Sequence, residues 1–221
     1  MRTVVFDLDG TLADTSGDLL DAANAVFRAG GHGDVLDHPR DAGTALRGGR
    51  AMLRLGYERL GMAPNEDRVM AGYPVLLEAY EGQLSTKTRL YEGAEAVLIR
   101  LARAGYKLAV CTNKPHHLAV PLLHELNVAP LFDAIVGTEP DKPIKPDPDP
   151  YIKAVGQAGG AVEQSLLIGD TATDRKTSTA AGVPSVLVTF SPAGKSVLEL
   201  FPDETIDHFD DLDAVVEKLL G

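Results

Sequence analysis

The sequence has little of several features that mark other classes of protein. Cys111 is the one cysteine among 221 residues, which excludes an internal disulfide and predicts a reducing compartment. No apolar run approaches the roughly 20 residues that cross a bilayer. Asp7 interrupts the first apolar run, unlike the core of a signal peptide. We therefore expect a globular, cytoplasmic protein with no membrane partner.

Positive charge is also scarce. The chain has 21 lysines and arginines against 32 aspartates and glutamates, and a net charge of -11. Nucleic acids and anionic membranes are bound through basic faces, so we expect neither as a partner. A phosphate group would have to be met by a few well-placed cationic groups or a metal ion, because the overall field repels it.

Most of the chain alternates between short apolar strands and amphipathic helices. Strands are predicted at residues 3–6, 107–111, 134–136, 165–168 and 185–188. This alternation predicts an α/β fold, a Rossmann-like parallel sheet with helices on both faces.

The pattern changes between residues 15 and 89, where no convincing strand is found. Apolar spacing predicts helices there, one of them capped by Asn65 and kinked by Pro74. We interpret residues 15–89 as an inserted, all-helical cap domain. Residues 1–14 and 90–221 form the predicted α/β core.

The first chemical motif is Asp7-Leu8-Asp9-Gly10-Thr11, directly after the first strand. Alternation along an extended chain sends Asp7 and Asp9 the same way, so their charges repel unless a cation lies nearby. A strand that ends in such a pair predicts a site for a hard cation. The alternative for a lone pair of this kind is a polar turn with a helix cap.

Two further candidates follow in the middle of the chain. Thr112 ends a strand, where its hydroxyl could hold a phosphate oxygen or simply cap the next helix. Residues 141–150 are rich in proline and predict a stiff, extended loop that aims a side chain. Lys145 and Lys142 are the lysines of that loop, and a loop lysine is usually just solvated.

A second acidic pair follows the strand at residues 165–168. Asp170 stands at the carboxyl end of the strand, and Asp174 lies in the first turn of the next helix. The helix dipole alone would favour Asp174. The helix dipole does not account for Asp170, which makes this the second strand of the same predicted sheet to be followed by an aspartate.

These four segments, in this order, resemble the four signatures of the haloacid dehalogenase-like superfamily. The match with phosphoglycolate-phosphatase-like members, which carry a helical cap, extends over the whole chain. The resemblance implies Mg²⁺ on the carboxylates of Asp7 and Asp170 and on the backbone carbonyl of Asp9, with Asp174 supporting these ligands. It also implies that Asp7 is the nucleophile and that Asp9 acts as general acid and base.

The same resemblance assigns the substrate contacts. Thr112, Asn113 and Lys145 would bind the transferred phosphate, with Lys145 rather than Lys142 matching the third signature. Arg47 and Arg50 of the cap could reach the leaving group. The expected partner is a small phosphorylated metabolite, with 2-phosphoglycolate as the best guess, bound by a monomer or a homodimer.

Two alternatives stay open at this point. One is a phosphosugar mutase of the β-phosphoglucomutase type, which uses the same aspartyl phosphate but returns the phosphoryl group to the sugar. Gly10-Thr11 favours the phosphatase modestly, since such mutases often have Val or Ile after this glycine. The other is a non-catalytic protein that binds a phosphorylated metabolite.

Overall fold

The computed structural model describes residues 1–62 and 65–221. The strands are Thr3–Phe6 (β1), Ala13–Asp14 (β2), Arg89–Leu90 (β3), Lys107–Pro115 (β4), Ala134–Thr138 (β5), Ser165–Gly169 (β6), Ser185–Val188 (β7) and Glu204–Ile206 (β8). The α-helices are Ser16–Ala29 (α1), Ala42–Ala45 (α2), Gly49–Arg59 (α3), Glu66–Glu81 (α4), Ala94–Arg103 (α5), His116–Glu125 (α6), Asp149–Gln157 (α7), Ala172–Ala181 (α8) and Leu212–Leu220 (α9). Short 3₁₀-helices lie at Ala129–Leu131, Val162–Gln164, Gly194–Leu200 and Phe209–Asp211.

Six strands form one parallel sheet in the order β5-β4-β1-β6-β7-β8. Phe6, the last residue of β1, lies opposite Val110 of β4 on one side and Ile168 of β6 on the other. The carboxyl ends of these three strands therefore meet at one edge of the sheet, where open α/β sheets bind ligands. The predicted fold class is confirmed.

The central strands are apolar because helices cover the sheet. Val5 of β1 and Leu167 of β6 are fully buried, and they belong to one cluster with Tyr151 and Val155 of α7. Cys111 of β4 lies in the same cluster, and burial raises the pKa of its thiol to about 12. It is a core residue.

The chain divides into two compact units, one of residues Met1–Asp14 and Leu90–Gly221 and one of residues Thr15–Arg89. The first unit contains the six-stranded sheet and the second contains α1 to α4. Within the described residues, no helix combines the length and apolar character that a membrane span needs.

The second unit has its own core and its own polar contacts. The ring of Phe27 in α1 meets that of Tyr57 in α3 edge-on, with centroids 5.3 Å apart. The buried Asn24 amide donates to the carbonyl of Leu36 and accepts from its N–H, which fixes the loop after α1. Buried Asp41, at the end of the same loop, pairs with Arg59 of α3.

The helix boundaries follow the local rules with some differences from the predicted ones. Asn65 caps α4 as predicted, since its side chain accepts from the N–H of Asp67 at 2.8 Å. Pro74 lies inside α4 without ending it. The proline-rich loop ends earlier than predicted because α7 begins at Asp149. Pro150 is tolerated there, since the first turn of a helix needs no N–H partner.

We predict opposite effects for alanine at two helical glycines. A Cβ at Gly56 would lie 2.0 Å from the buried ring of Phe27, whereas a Cβ at Gly156 would meet nothing within 4 Å. Gly56→Ala should lower the free energy of unfolding by about 1–3 kcal/mol through overpacking. Gly156→Ala should raise it by about 0.5–1 kcal/mol because alanine has less backbone freedom to lose. Urea unfolding of both variants measures this, and effects of the same sign would contradict the packing described.

Candidate active site

The first motif forms a tight turn at the end of β1. The N–H of Asp7 donates to the carbonyl of Ile168 at 2.8 Å, which keeps Asp7 in the sheet. The chain then turns back, and the carbonyl of Leu8 accepts from the N–H groups of Leu12 and Ala13. Gly10 has φ +85°, a left-handed conformation that disfavours other residues. The turn therefore explains why a glycine follows the acidic pair.

The second acidic pair is arranged by the start of α8. Asp174 and Thr171 form a capping box, and Asp174 Oδ2 accepts from Thr171 Oγ1 at 2.6 Å. Gly169 allows this close approach, because a Cβ there would lie 2.3 Å from Asp174 Cβ. Asp170, just before the helix, is 1% exposed, and its Oδ1 accepts from Thr11 Oγ1 at 3.3 Å. The two acidic pairs thus meet at the carboxyl ends of β1 and β6.

Lys145 brings its ammonium group into the middle of these carboxylates. Its Nζ donates to Asp174 Oδ1 at 2.6 Å and lies 2.9 Å from Asp7 Oδ1. Its side chain is 2% exposed. Asn113 fixes the backbone of Lys145, donating through Nδ2 to its carbonyl and accepting at Oδ1 from its N–H, both at 2.9 Å. Lys142, the rival lysine, lies on the exposed surface.

Thr112 and Asn113, near the end of β4, have different hydrogen-bond partners. Thr112 is 3% exposed, and its Oγ1 accepts from the N–H of Lys114 at 3.1 Å. A hydroxyl that accepts one bond can still donate its own hydrogen to a further oxygen. The amide of Asn113 bonds the loop that carries Lys145, so its observed contacts position that lysine.

A second buried lysine was not assigned a role by the sequence reasoning. Lys114 Nζ donates to Asp9 Oδ1 at 2.9 Å, and its side chain is 3% exposed. Lys114 lies two residues after Thr112 in an extended strand, so the two side chains point to the same side. That spacing was the one signal in the sequence that could have drawn attention to Lys114.

The electrostatic consequences follow from burial. Burial raises the pKa of Asp7 to about 6 although Lys145 opposes this, and Asp174 and Asp9 add to the rise. Burial, with repulsion from Asp174 and Asp7, raises the pKa of Asp170 well above its usual value. Burial alone would lower the pKa of Lys145, but Asp174 and Asp7 outweigh it and hold that pKa above its usual value. Lys145 therefore stays protonated, and its single positive charge does not balance the negative charges of the surrounding carboxylates.

The oxygen atoms of this cluster suit a metal ion. One carboxylate oxygen from each of Asp7, Asp170 and Asp174 lies within 4.8 Å of the others. Asp170 Oδ2 is buried and accepts no hydrogen bond among the described residues, and buried Asp7 Oδ1 has Lys145 Nζ at 2.9 Å. Both oxygens of Asp174 already accept hydrogen bonds. The site can thus hold a cation between Asp7 and Asp170, and such an all-oxygen set is typical of hard cations.

The predicted specificity residues lie in the second unit. Arg47 and Arg50 are both exposed. The Arg47 guanidinium donates to Thr44 Oγ1 at 3.0 Å, and that of Arg50 lies 5.1 Å from the centre of the Tyr73 ring. Their role toward a leaving group remains a prediction.

The chain is thus an α/β protein whose parallel sheet has a buried acidic cluster at the carboxyl ends of its central strands. The chain belongs to the haloacid dehalogenase-like hydrolase family, whose model matches residues 4–188. The prediction of a hydrolase of this family is confirmed.

Relatives match nearly the whole length of the chain. The phosphoglycolate phosphatase of Mesorhizobium japonicum is 35% identical, and the alignment covers 98% of this chain and 96% of that protein. That of Agrobacterium fabrum is 36% identical, with 98% and 93% covered. Among solved structures, a predicted phosphoglycolate phosphatase from Haemophilus somnus 129pt superposes with a TM-score of 0.81 at 24% identity, with 97% of both chains covered. This last likeness concerns the fold alone.

The raised pKa of Asp7 predicts a dependence of stability on pH in metal-free protein. A proton on Asp7 is bound more tightly in the folded state, with a pKa of about 6, than in the unfolded chain, where Asp titrates near 3.9. The stabilisation from this proton is complete below about pH 4 and is lost as the pH rises through about 6. At about 1.4 kcal/mol per pKa unit, the loss is about 3 kcal/mol.

The matching measurement compares wild type with Asp7→Asn in EDTA by urea unfolding from pH 4 to 7. The variant should gain about 2 kcal/mol relative to wild type over this range, because an amide does not ionise. The control is Glu163→Gln, the same loss of charge at an exposed position, and it should follow wild type. Parallel curves for Asp7→Asn and wild type would show that Asp7 is not destabilised by burial.

Proposed function

We propose that this protein is a Mg²⁺-dependent phosphatase that hydrolyses a small phosphomonoester through an aspartyl-phosphate intermediate. The observation that carries the proposal is the buried cluster of Asp7, Asp170, Asp174 and Lys145 at the carboxyl ends of β1 and β6. Family membership and the relatives named phosphoglycolate phosphatase support the same class of reaction. From these relatives we take 2-phosphoglycolate as the substrate.

The residues present fit Mg²⁺. The Asp7 and Asp170 carboxylates would hold it together with the Asp9 backbone carbonyl, and buried Asp170 Oδ2, which accepts no hydrogen bond among the described residues, supports this choice. We assign Asp174 a supporting role, because its oxygens already bind Lys145 and Thr171. When bound, Mg²⁺ would screen the negative charge of nucleophile and phosphoryl group.

Asp7 is the proposed nucleophile. One of its carboxylate oxygens bonds to phosphorus while the bond from phosphorus to the ester oxygen breaks, which gives an aspartyl phosphate. Lys145, 2.9 Å from Asp7 Oδ1, keeps a positive charge next to the reacting oxygens. Because Lys145 is itself fixed by Asn113 and Asp174, the charge does not have to be brought into place during transfer.

Asp9 is the proposed general acid and base. It gives a proton to the leaving oxygen in the first step and takes one from the attacking water in the second. Asp9 lies two residues after Asp7, beyond the end of β1, and this position supports separate roles for Asp7 as nucleophile and Asp9 as acid and base. Thr112, whose hydroxyl can still donate, would bind a phosphoryl oxygen together with Lys145. Asn113 would contribute mainly by fixing Lys145.

The second unit is the proposed cap. A cap that selects a two-carbon acid phosphate needs a cation for the carboxylate of the leaving group, and a guanidinium is well suited to it. Arg47 lies just before α3 and Arg50 lies in its first turn, and both side chains are exposed. We assign this role to one of them.

The first test is phosphate release from a panel of phosphate esters that includes 2-phosphoglycolate, with and without Mg²⁺. Wild type should release phosphate only with Mg²⁺, and Asp7→Asn should lose activity by about 10³-fold or more, since the nucleophile is gone. The control is Asp141→Asn, the same change at an exposed loop residue, and it should keep activity.

Two results would contradict the proposal. Release from no ester by folded protein would favour a non-catalytic binding protein. Conversion of a hexose phosphate without net phosphate release, dependent on a bisphosphate activator, would identify a mutase instead.

A further inference from the structure

The proposed mechanism leaves the ion pair between buried Lys114 and partly buried Asp9 without a role. The Lys114 side chain is 3% exposed and that of Asp9 is 17% exposed, and Nζ donates to Oδ1 at 2.9 Å. Withdrawing an ammonium from water costs several kcal/mol unless a close partner compensates it. A buried lysine that bonds the proposed acid and base therefore calls for a function.

The fold gives each of the first two aspartates its own lysine. Lys145 comes from the loop before α7 and lies next to Asp7, whereas Lys114 comes from β4 and binds Asp9. β4 pairs with β1 from Lys107 to Val110, and Lys114 lies four residues further along β4. The N–H of Lys114 donates to Thr112 Oγ1, which fixes its backbone near the strand end.

We propose that Lys114 is a positioning residue for Asp9, an inference that rests on the proposed phosphatase function. Its ammonium engages Oδ1 of Asp9, so the proton that serves the reaction travels on Oδ2. A carboxyl group accepts at one oxygen and carries its proton on the other, so Lys114 can hold Oδ1 both before and after the proton leaves. Lys114 itself gives up no proton.

The two steps balance with these assignments. In the first, an Asp7 oxygen bonds to phosphorus, the bond to the ester oxygen breaks, and the leaving oxygen takes the proton from Asp9 Oδ2. In the second, a water oxygen bonds to phosphorus, the bond to Asp7 breaks, and Oδ2 takes a proton from that water. The sum is ester plus water giving alcohol plus phosphate, and a fixed Oδ2 serves both steps.

The experiment compares esters whose leaving groups differ in their need for a proton. An alkoxide is too basic to leave without one, whereas 4-nitrophenolate leaves unprotonated. In Lys114→Met, kcat/KM for 2-phosphoglycolate and for propyl phosphate should fall about 10–100-fold. For 4-nitrophenyl phosphate it should stay within about 3-fold of wild type. The value of kcat/KM reports only the steps up to loss of the leaving group. Slow hydrolysis of the aspartyl phosphate therefore cannot hide a difference between alkyl and aryl esters.

Three further variants sharpen the test. Lys114→Arg keeps a cationic donor and should restore part of the activity toward alkyl esters. Adding Lys114→Met to Asp9→Asn should cause no further loss, because the residue it positions is already removed. Lys142→Met removes an exposed lysine of the neighbouring loop and should change neither class of ester. Retained activity on 4-nitrophenyl phosphate shows that Lys114→Met is folded.

Three outcomes would overturn the inference. An equal loss on aryl and alkyl esters would make Lys114 a general phosphate-binding or structural residue. A loss confined to 2-phosphoglycolate and absent with propyl phosphate would mean that Lys114 binds the carboxylate of the substrate instead of orienting Asp9. If wild type releases no phosphate from any of the three esters, the proposed function itself fails.

Discussion

The site depends on one buried ammonium group among three buried carboxylates. Lys145 Nζ lies 2.9 Å from Asp7 and 2.6 Å from Asp174, and Asp170 completes the acidic cluster. Burial of these carboxylates, with their mutual repulsion added, raises the pKa of Asp7 and of Asp170 although Lys145 opposes it. One positive charge does not offset three negative ones in a place shielded from water. A second cation would relieve this imbalance. The same imbalance makes the cluster able to hold a metal ion.

The parallel sheet is what makes this concentration of charge possible. β1 lies between β4 and β6, so residues distant in sequence emerge side by side at one edge. Backbone bonds of the Gly10 turn, the Asn113 clamp on Lys145 and the capping box of α8 then fix each side chain. Burial of the apolar strands stabilises the fold and offsets the free-energy cost of burying these charged groups. Fold and site are thus two results of one strand order.

Sequence reasoning predicted much of this arrangement, for physical reasons. Asp7 and Asp170 were found because acidic residues at the ends of apolar strands are a local pattern, and Lys145 was found through resemblance to a family signature. The contact of Lys114 with Asp9 was not predicted, because the two residues are 105 positions apart and no local rule links them. β8, a strand of three residues at the edge of the sheet, was also missed, since so short a segment shows no alternation.

The most direct test of the central claim is the melting temperature in Mg²⁺ at constant ionic strength and pH 7.5. Wild type and Glu199→Gln, which loses an exposed charge, should melt about 5–10 °C higher at 100 times the Kd. Asp170→Asn should show no Mg²⁺-dependent rise, and without metal it should melt no lower than wild type, because a buried charge has been removed. Equal shifts in wild type and Asp170→Asn, or no shift in wild type, would contradict the account.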